Sequence, residues 1–252
     1  METNTALFNF CVRQGDSSLI LGQRLSALCG HGPILEEDIA LTNISLDLIG
    51  QASTLFTFAA SIENKGRTED ELAYHRGERE FTNALLVEQP NGDFAMTIVR
   101  QFLFDSYQFY LFQSLEKSVN NSLAEFATKF LKEVQYHLRH STQWLLRLGD
   151  GTEESHNRTQ KALDYLWSYT GDLFAETDGD ELLCKQGVIF EAATLHKLWT
   201  DHITASFAQA TLNCPATTFM HKGSRLGQHT EHLGFVLAEM QYIPRTFPGA
   251  TW

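Results

Sequence analysis

With 252 residues, 43% of them hydrophobic, and a formal charge of −12, the chain has enough apolar material to fold by burial alone. The acidic excess repels phosphate backbones and anionic lipid, which argues against nucleic acid or a membrane surface as partner. No basic start leads into a long apolar run, and no window offers about 18 uncharged apolar residues, so a soluble, unexported, cytoplasmic protein is expected. Cys11, Cys29, Cys184 and Cys214 lie far apart with no C-x-x-C pair, the pattern of isolated thiols in a reducing compartment.

Residues 1–14 are expected to be a loosely ordered N-terminus. Gly15-Asp16-Ser17 offers a cap for a short amphipathic segment, Leu19 to Leu28, which stops at Cys29-Gly30-His31-Gly32-Pro33. The stretch Leu35 to Glu63 organises the rest. Leu41, Ile44, Leu48, Leu55, Ala59 and Ile62 form one helical stripe and Ile39, Leu46, Ile49, Phe56 and Ala60 a second. A helix of roughly 42 Å, apolar over most of its circumference, belongs in a bundle. Between the stripes runs a polar line, Asn43, Asp47, Gly50, Thr54 and Thr57, and whether it faces water or an internal site is the functional question.

Thr68 and Glu71 have capping-box spacing, and Glu78 to Glu88 reads as a further short helix before Gln89-Pro90-Asn91-Gly92. Asp93 caps a helix reaching about Lys117, and Asn121-Ser122 opens another that runs to Leu148; these two form an antiparallel hairpin. Further helices span Thr152 to Tyr169 and Glu191 to Leu212, separated by an acidic loop around Thr177 to Asp180, and a last one runs from Gln228 to about Pro244. The absence of proline between Pro90 and Pro215 favours uninterrupted helices. With no repeat and no linker, one all-α domain is expected.

Polar groups on the apolar helices carry the chemical question. Gln101, Asp105 and Gln108 share a face among aromatic residues, and Glu133, His137, His140 and Trp144 stack at steps of four, three and four. A carboxylate-bridged metal pair in a four-helix bundle uses one Glu on each of two helices and Glu-x-x-His on each of the other two. Here that pattern is degenerate. Asp47-Leu48-Ile49-Gly50 has glycine where the imidazole belongs, Glu133-Val134-Gln135-Tyr136 has tyrosine, and the first helix offers only Gln23. Asp47, Asp105 and Glu133 remain, and are expected to be tied into buried hydrogen bonds and ion pairs with groups such as Arg24, Arg100, Lys132 or His137. A rebuilt site on Glu133, His137 and His140 is the rival arrangement. His229, Glu231 and His232 form a second cluster for which capping and interface hydrogen bonds are the commoner fates. No nucleophile elbow or phosphate-cradling glycine motif is present.

The segments GQRLSALCGHGPILEEDIALTNISLDLIGQA, FTNALLVEQPNGDFAMTIVRQFLFD, KEVQYHLRHSTQWLLRLGDGTEES and HTEHLGFVLAEMQY, with the closing PGATW, resemble the C-subunit family (PaaC) of bacterial phenylacetyl-CoA epoxidases from Gly15 to Trp252. The resemblance implies a ferritin-like four-helix bundle core with additional helices, a single domain over 1–252, and a structural role in aerobic phenylacetate degradation. It implies as partners the catalytic A subunit, which carries the di-iron centre, and the small B subunit. The complex inserts one oxygen atom of O2 into the ring of phenylacetyl-CoA, with electrons from NADPH through a reductase holding FAD and an iron–sulfur centre; this chain would hold none of these cofactors. Beside that family-like segment, Glu80, Phe81, Thr82 and Asn83 are candidates for touching a ligand or the partner, and Lys222 and Arg225 for touching CoA phosphates. Two rivals are an independently active di-iron carboxylate oxygenase and a stand-alone acyl-CoA-binding protein.

Overall fold

A computed structural model of the chain describes residues 2–250; Met1, and Thr251 and Trp252 of the closing motif, lie outside the described residues. The fold is all-α, in agreement with a ferritin-like protein. In chain order the helices are α1 (Thr3–Ser26), α2 (Leu35–Glu63), α3 (Glu69–Tyr74), α4 (Phe94–Leu115), α5 (Asn121–Gly149), α6 (Glu153–Leu166), α7 (Asp178–Lys185), α8 (Ala192–Gln209), α9 (Glu231–Met240) and α10 (Tyr242–Thr246). Two compact units result: Met1–Pro90 with Thr177–Asp180 and Gly223–Trp252, and Asn91–Glu176 with Glu181–Lys222.

The first unit is built on the antiparallel pair α1/α2. The Ser45 hydroxyl donates to the Gly22 carbonyl at 2.8 Å, and the Phe56 ring lies 2.6 Å from where a Cβ on Gly15 would stand, so glycine lets the helices approach at both levels. Leu41, Ile44, Leu48, Leu55 and Ala59 are buried, as the first stripe requires. The second stripe divides. Phe56 is buried, whereas Ile39 and Leu46 are 52% and 61% exposed. The polar line faces outward: Asn43, Gly50 and Thr57 are exposed and Asp47 and Thr54 half-buried.

In the second unit α4 and α5 form the expected hairpin. The Phe112 and Phe126 rings meet edge-on at 5.1 Å at one end, and Phe94 meets Trp144 at 5.0 Å at the other. α4 is buried around nearly its whole circumference, because α6 and α8 pack on it as well; from α8 the indole of Trp199 donates to the Leu103 carbonyl at 3.0 Å. Capping chemistry sets the boundaries: the Asp93, Asn120 and Thr152 side chains accept from Met96, Leu123 and Ser155 amides, and Thr68 with Glu71 forms a full capping box.

Three elements differ from the sequence expectation. α1 starts at Thr3, with Ala6, Leu7 and Phe10 buried, and Gly15-Asp16-Ser17 lies in its interior. That triplet makes tertiary contacts: Gly15 fits under Phe56, and Asp16 and Ser17 bind the 82–84 backbone. For the same reason Glu78 to Glu88 is no α-helix beyond a 3₁₀ turn at Glu78–Glu80. The amides of Thr82 and Ala84 donate to Asp16 Oδ2 and Ser17 Oγ, at 2.9 and 3.1 Å, instead of to helical carbonyls. Finally, the acidic loop at Thr177 to Asp180 opens α7: Thr177 and Asp180 cap reciprocally, and Asp180 is bound by Arg13. That charge and the Thr177 bonds, working against burial, hold the Asp180 carboxyl below its usual range.

Candidate functional site

The buried polar centre of the second unit is Asp105 on α4. Its Oδ1 accepts from Gln101 Nε2 at 2.6 Å, one turn earlier, and its Oδ2 accepts from Ser141 Oγ on α5 at 2.7 Å. Burial pushes the carboxyl up to about 6, against the lowering influence of His137, Ser141, Gln101 and His140. Both oxygens accept short bonds from neutral donors, the arrangement of an acid settled into a protein interior. Among the described residues no three His, Cys, Asp or Glu side chains converge as a metal-binding group. Glu133, His137 and His140 are not such a group.

The residues at the degenerate motif positions differ in burial. On α2, Gly50 is exposed and a Cβ built on it meets nothing within 4 Å; the buried residues at the same spacing are Leu48 and Gln51. On α5, Tyr136 is 39% exposed and Glu133 half-buried, while Val134 and His137 are buried. Glu133 Oε2 and the Nδ1 atoms of His137 and His140 are buried as well. Gln23 on α1 is half-buried. Of the cations considered as partners for the acids, Arg24 donates to the Glu88 and His232 carbonyls, Arg100 to Asn91 Oδ1 at 2.6 Å, and Lys132 is exposed.

In the first unit the run Glu80 to Asn83 alternates between exposed Glu80, half-buried Thr82 and interior Phe81 and Asn83. Phe81 and Asn83 are completely buried. Arg76 lies over the Phe81 ring at 4.2 Å, pairs with Asp16 through both terminal nitrogens, and donates to the Glu80 carbonyl at 2.9 Å. Thr82 gives Asp16 two further bonds, from its amide and its hydroxyl. The Glu80 side chain accepts from the Gly77 amide at 2.6 Å.

A second buried network, which motif reading missed, centres on Glu88. Its Oε2 accepts from Asn83 Nδ2 and faces His229 Nδ1, each at 2.9 Å, and its Oε1 accepts from the Thr230 amide at 2.6 Å. The His229 and Glu88 side chains are both inaccessible to solvent. Burial pulls the imidazole pKa down, but the Glu88 hydrogen bond and charge, the Phe81 carbonyl and the charge of Asp16 together raise it. The only sequence signal for this pair was the clustering of His229 with Glu231 and His232.

Arg225 donates to the Thr82 carbonyl and the Ser224 hydroxyl, at 3.3 and 3.0 Å; Lys222 is exposed. All four cysteines are free thiols, and burial pushes that of Cys11 up to about 12 despite nearby Arg13. No helix among the described residues is long and apolar enough to cross a membrane.

The family model described as "Phenylacetic acid catabolic protein" matches residues 1–252. The chain is 46% identical over 243 residues to a relative from Escherichia coli (strain K12) named as the C subunit of 1,2-phenylacetyl-CoA epoxidase, with 96% of this chain and 98% of the relative covered. The chain thus belongs to the phenylacetic acid catabolic protein family.

Proposed function

We propose that the chain is a non-catalytic subunit of a multicomponent phenylacetyl-CoA 1,2-epoxidase, where it binds and stabilises the subunit that carries the di-iron centre. The observation that carries this reading is the state of the inward helix positions. Asp105 is held by Gln101 and Ser141, and the buried places at Glu-x-x-His spacing are Leu48 with Gln51 and Val134 with His137. Similarity along nearly its full length to a relative named as part of that epoxidase supports the assignment to the complex. On this reading the chain works in the cytoplasm in a hetero-oligomer with the catalytic A and small B subunits. It meets phenylacetyl-CoA only through the complex, and NADPH, FAD and the iron–sulfur centre belong to the reductase.

The test is co-expression with the catalytic subunit, followed by sizing and an NADPH-dependent epoxidation assay with and without this chain. A stable joint complex, and activity that collapses when the chain is omitted, support the proposal. Full activity of the catalytic subunit alone refutes it.

A further inference from the structure

In a chain with 31 acidic and 19 basic residues, the outer face of α5 is basic. Lys129, Lys132, Arg139 and Arg147, all exposed, fall with Tyr136 and Gln143 at steps of three and four, which aligns them on one side of the helix. The row is about 27 Å long at 1.5 Å per residue. Two exposed acids, Glu125 and the C-cap Asp150, stand at the two ends of this face.

None of the four cations has an ion-pair partner among the described residues. Elsewhere on the surface Lys65, Arg67, Arg158, Lys185 and Lys197 each sit on a carboxylate, while Arg79, Lys117, Lys161 and Lys222 are exposed outside any such row. Three members of the row lie instead over aromatic rings of α5 itself. Lys129 is 4.5 Å from the Phe130 centroid, Arg139 5.6 Å from Tyr136, and Arg147 5.3 Å from Trp144. Such contacts hold the charged heads along the helix surface while leaving their hydrogen-bond donors unused.

The chemistry of this face limits its occupant. A phosphate group is gripped by cations that converge on one point, whereas these are strung along a helix for about 27 Å. A nucleic acid would meet an overall charge of −12. A row of carboxylates on another protein matches both the spacing and the sign, and exposed Tyr with Arg is the composition of interface anchors. We propose that the α5 row docks an acidic face of the catalytic subunit of the epoxidase. This rests on the reading of the chain as a subunit of the same complex.

The test uses the full tagged chain co-expressed with the catalytic subunit, in four forms: wild type, Lys132→Glu with Arg139→Glu, Lys132→Gln with Arg139→Gln, and a control with Lys117→Glu and Lys161→Glu. Wild type and control should retain the catalytic subunit at low salt. The reversed form should retain at least about tenfold less and the neutralised form an intermediate amount, and about 500 mM salt should weaken the wild-type complex. Because all four sites are exposed, circular dichroism and melting of the free chains should stay unchanged. Equal retention by wild type and reversed forms overturns the docking face and leaves the subunit reading standing. Failure of the wild type to retain the catalytic subunit removes the subunit reading and the docking with it. A wild-type homodimer that the reversed form dissolves would make a second copy the occupant, which also overturns the proposal.

Discussion

His229 Nδ1 lies 2.9 Å from Glu88 Oε2 while its Nε2 lies 2.8 Å from the Phe81 carbonyl oxygen. A carbonyl can only accept, so Nε2 carries a proton. The Glu88 oxygen already accepts from Asn83, so an ionised Glu88 requires a proton on Nδ1 too, and the ring is an imidazolium buried against a carboxylate. The folded-state pKa is raised above the ordinary 6.5, so the stabilisation is complete below that value and is lost as pH rises through the raised one. His229→Leu should cost about 3 kcal/mol or more at low pH, since it leaves Glu88 without its counter-charge. Urea unfolding at about pH 6 to 9 should show the gap between wild type and variant narrowing with pH. A gap that does not change would mean the ring is neutral.

Asp16 and Arg76 form the other buried pair, on which the turn at 80–84 is built. Arg76→Ala should destabilise by about 3 to 5 kcal/mol, because it strands a completely buried carboxylate. Replacing both partners with apolar residues, Asp16→Leu with Arg76→Met, should recover part of that loss. Thermal denaturation of Asp16→Leu, Arg76→Met and the double measures the coupling, and additive losses would show that the pair acts as two independent residues.

Asp105 gives the opposite pH signature. With its pKa up from 3.8 to about 6, the native state binds a proton more tightly than the unfolded chain, so stability falls as pH rises across that window. Asp105→Asn removes the penalty. It should be more stable than wild type by roughly 1 to 3 kcal/mol above pH 7, with the gain fading towards pH 4. Denaturant unfolding at both ends of the range checks it; a loss of stability at neutral pH would show that the ionised acid is needed.

Gly50→His together with Tyr136→His restores the spelling of both Glu-x-x-His-like motifs, yet both positions are exposed. The double variant should fold normally, with a stability change of about 0.5 kcal/mol or less, and metal analysis should find no iron gained. Gly15→Ala, by contrast, drives a methyl into the Phe56 ring and should cost about 1 to 3 kcal/mol, read from its melting temperature.

Helices α2, α4 and α5 were legible because apolar periodicity and caps agree in them: Asp93 stands before α4 and Asn120 before α5, each accepting an amide. What misled was local chemistry used for tertiary purposes. Gly15-Asp16-Ser17 looks like a helix start but serves as a docking notch inside α1, and a run that alternates like a helix at 78–88 spends its amides on Asp16 and Ser17. A period of 3.6 leaves neighbours such as Tyr136 and His137 about 100° apart, and only burial decides which one points inward. The Glu88 and His229 pair joins residues far apart in the sequence, beyond the reach of any spacing rule.

The central claim is that this chain has the helices of a metal-binding bundle without the ligands. Iron analysis of the isolated full chain, expressed in iron-rich medium and purified without its partners, tests it most directly. The account predicts negligible iron, unchanged by Asp105→Asn. About two tightly held irons per chain, released by Asp105→Asn, would contradict it and make the protein an oxygenase in its own right.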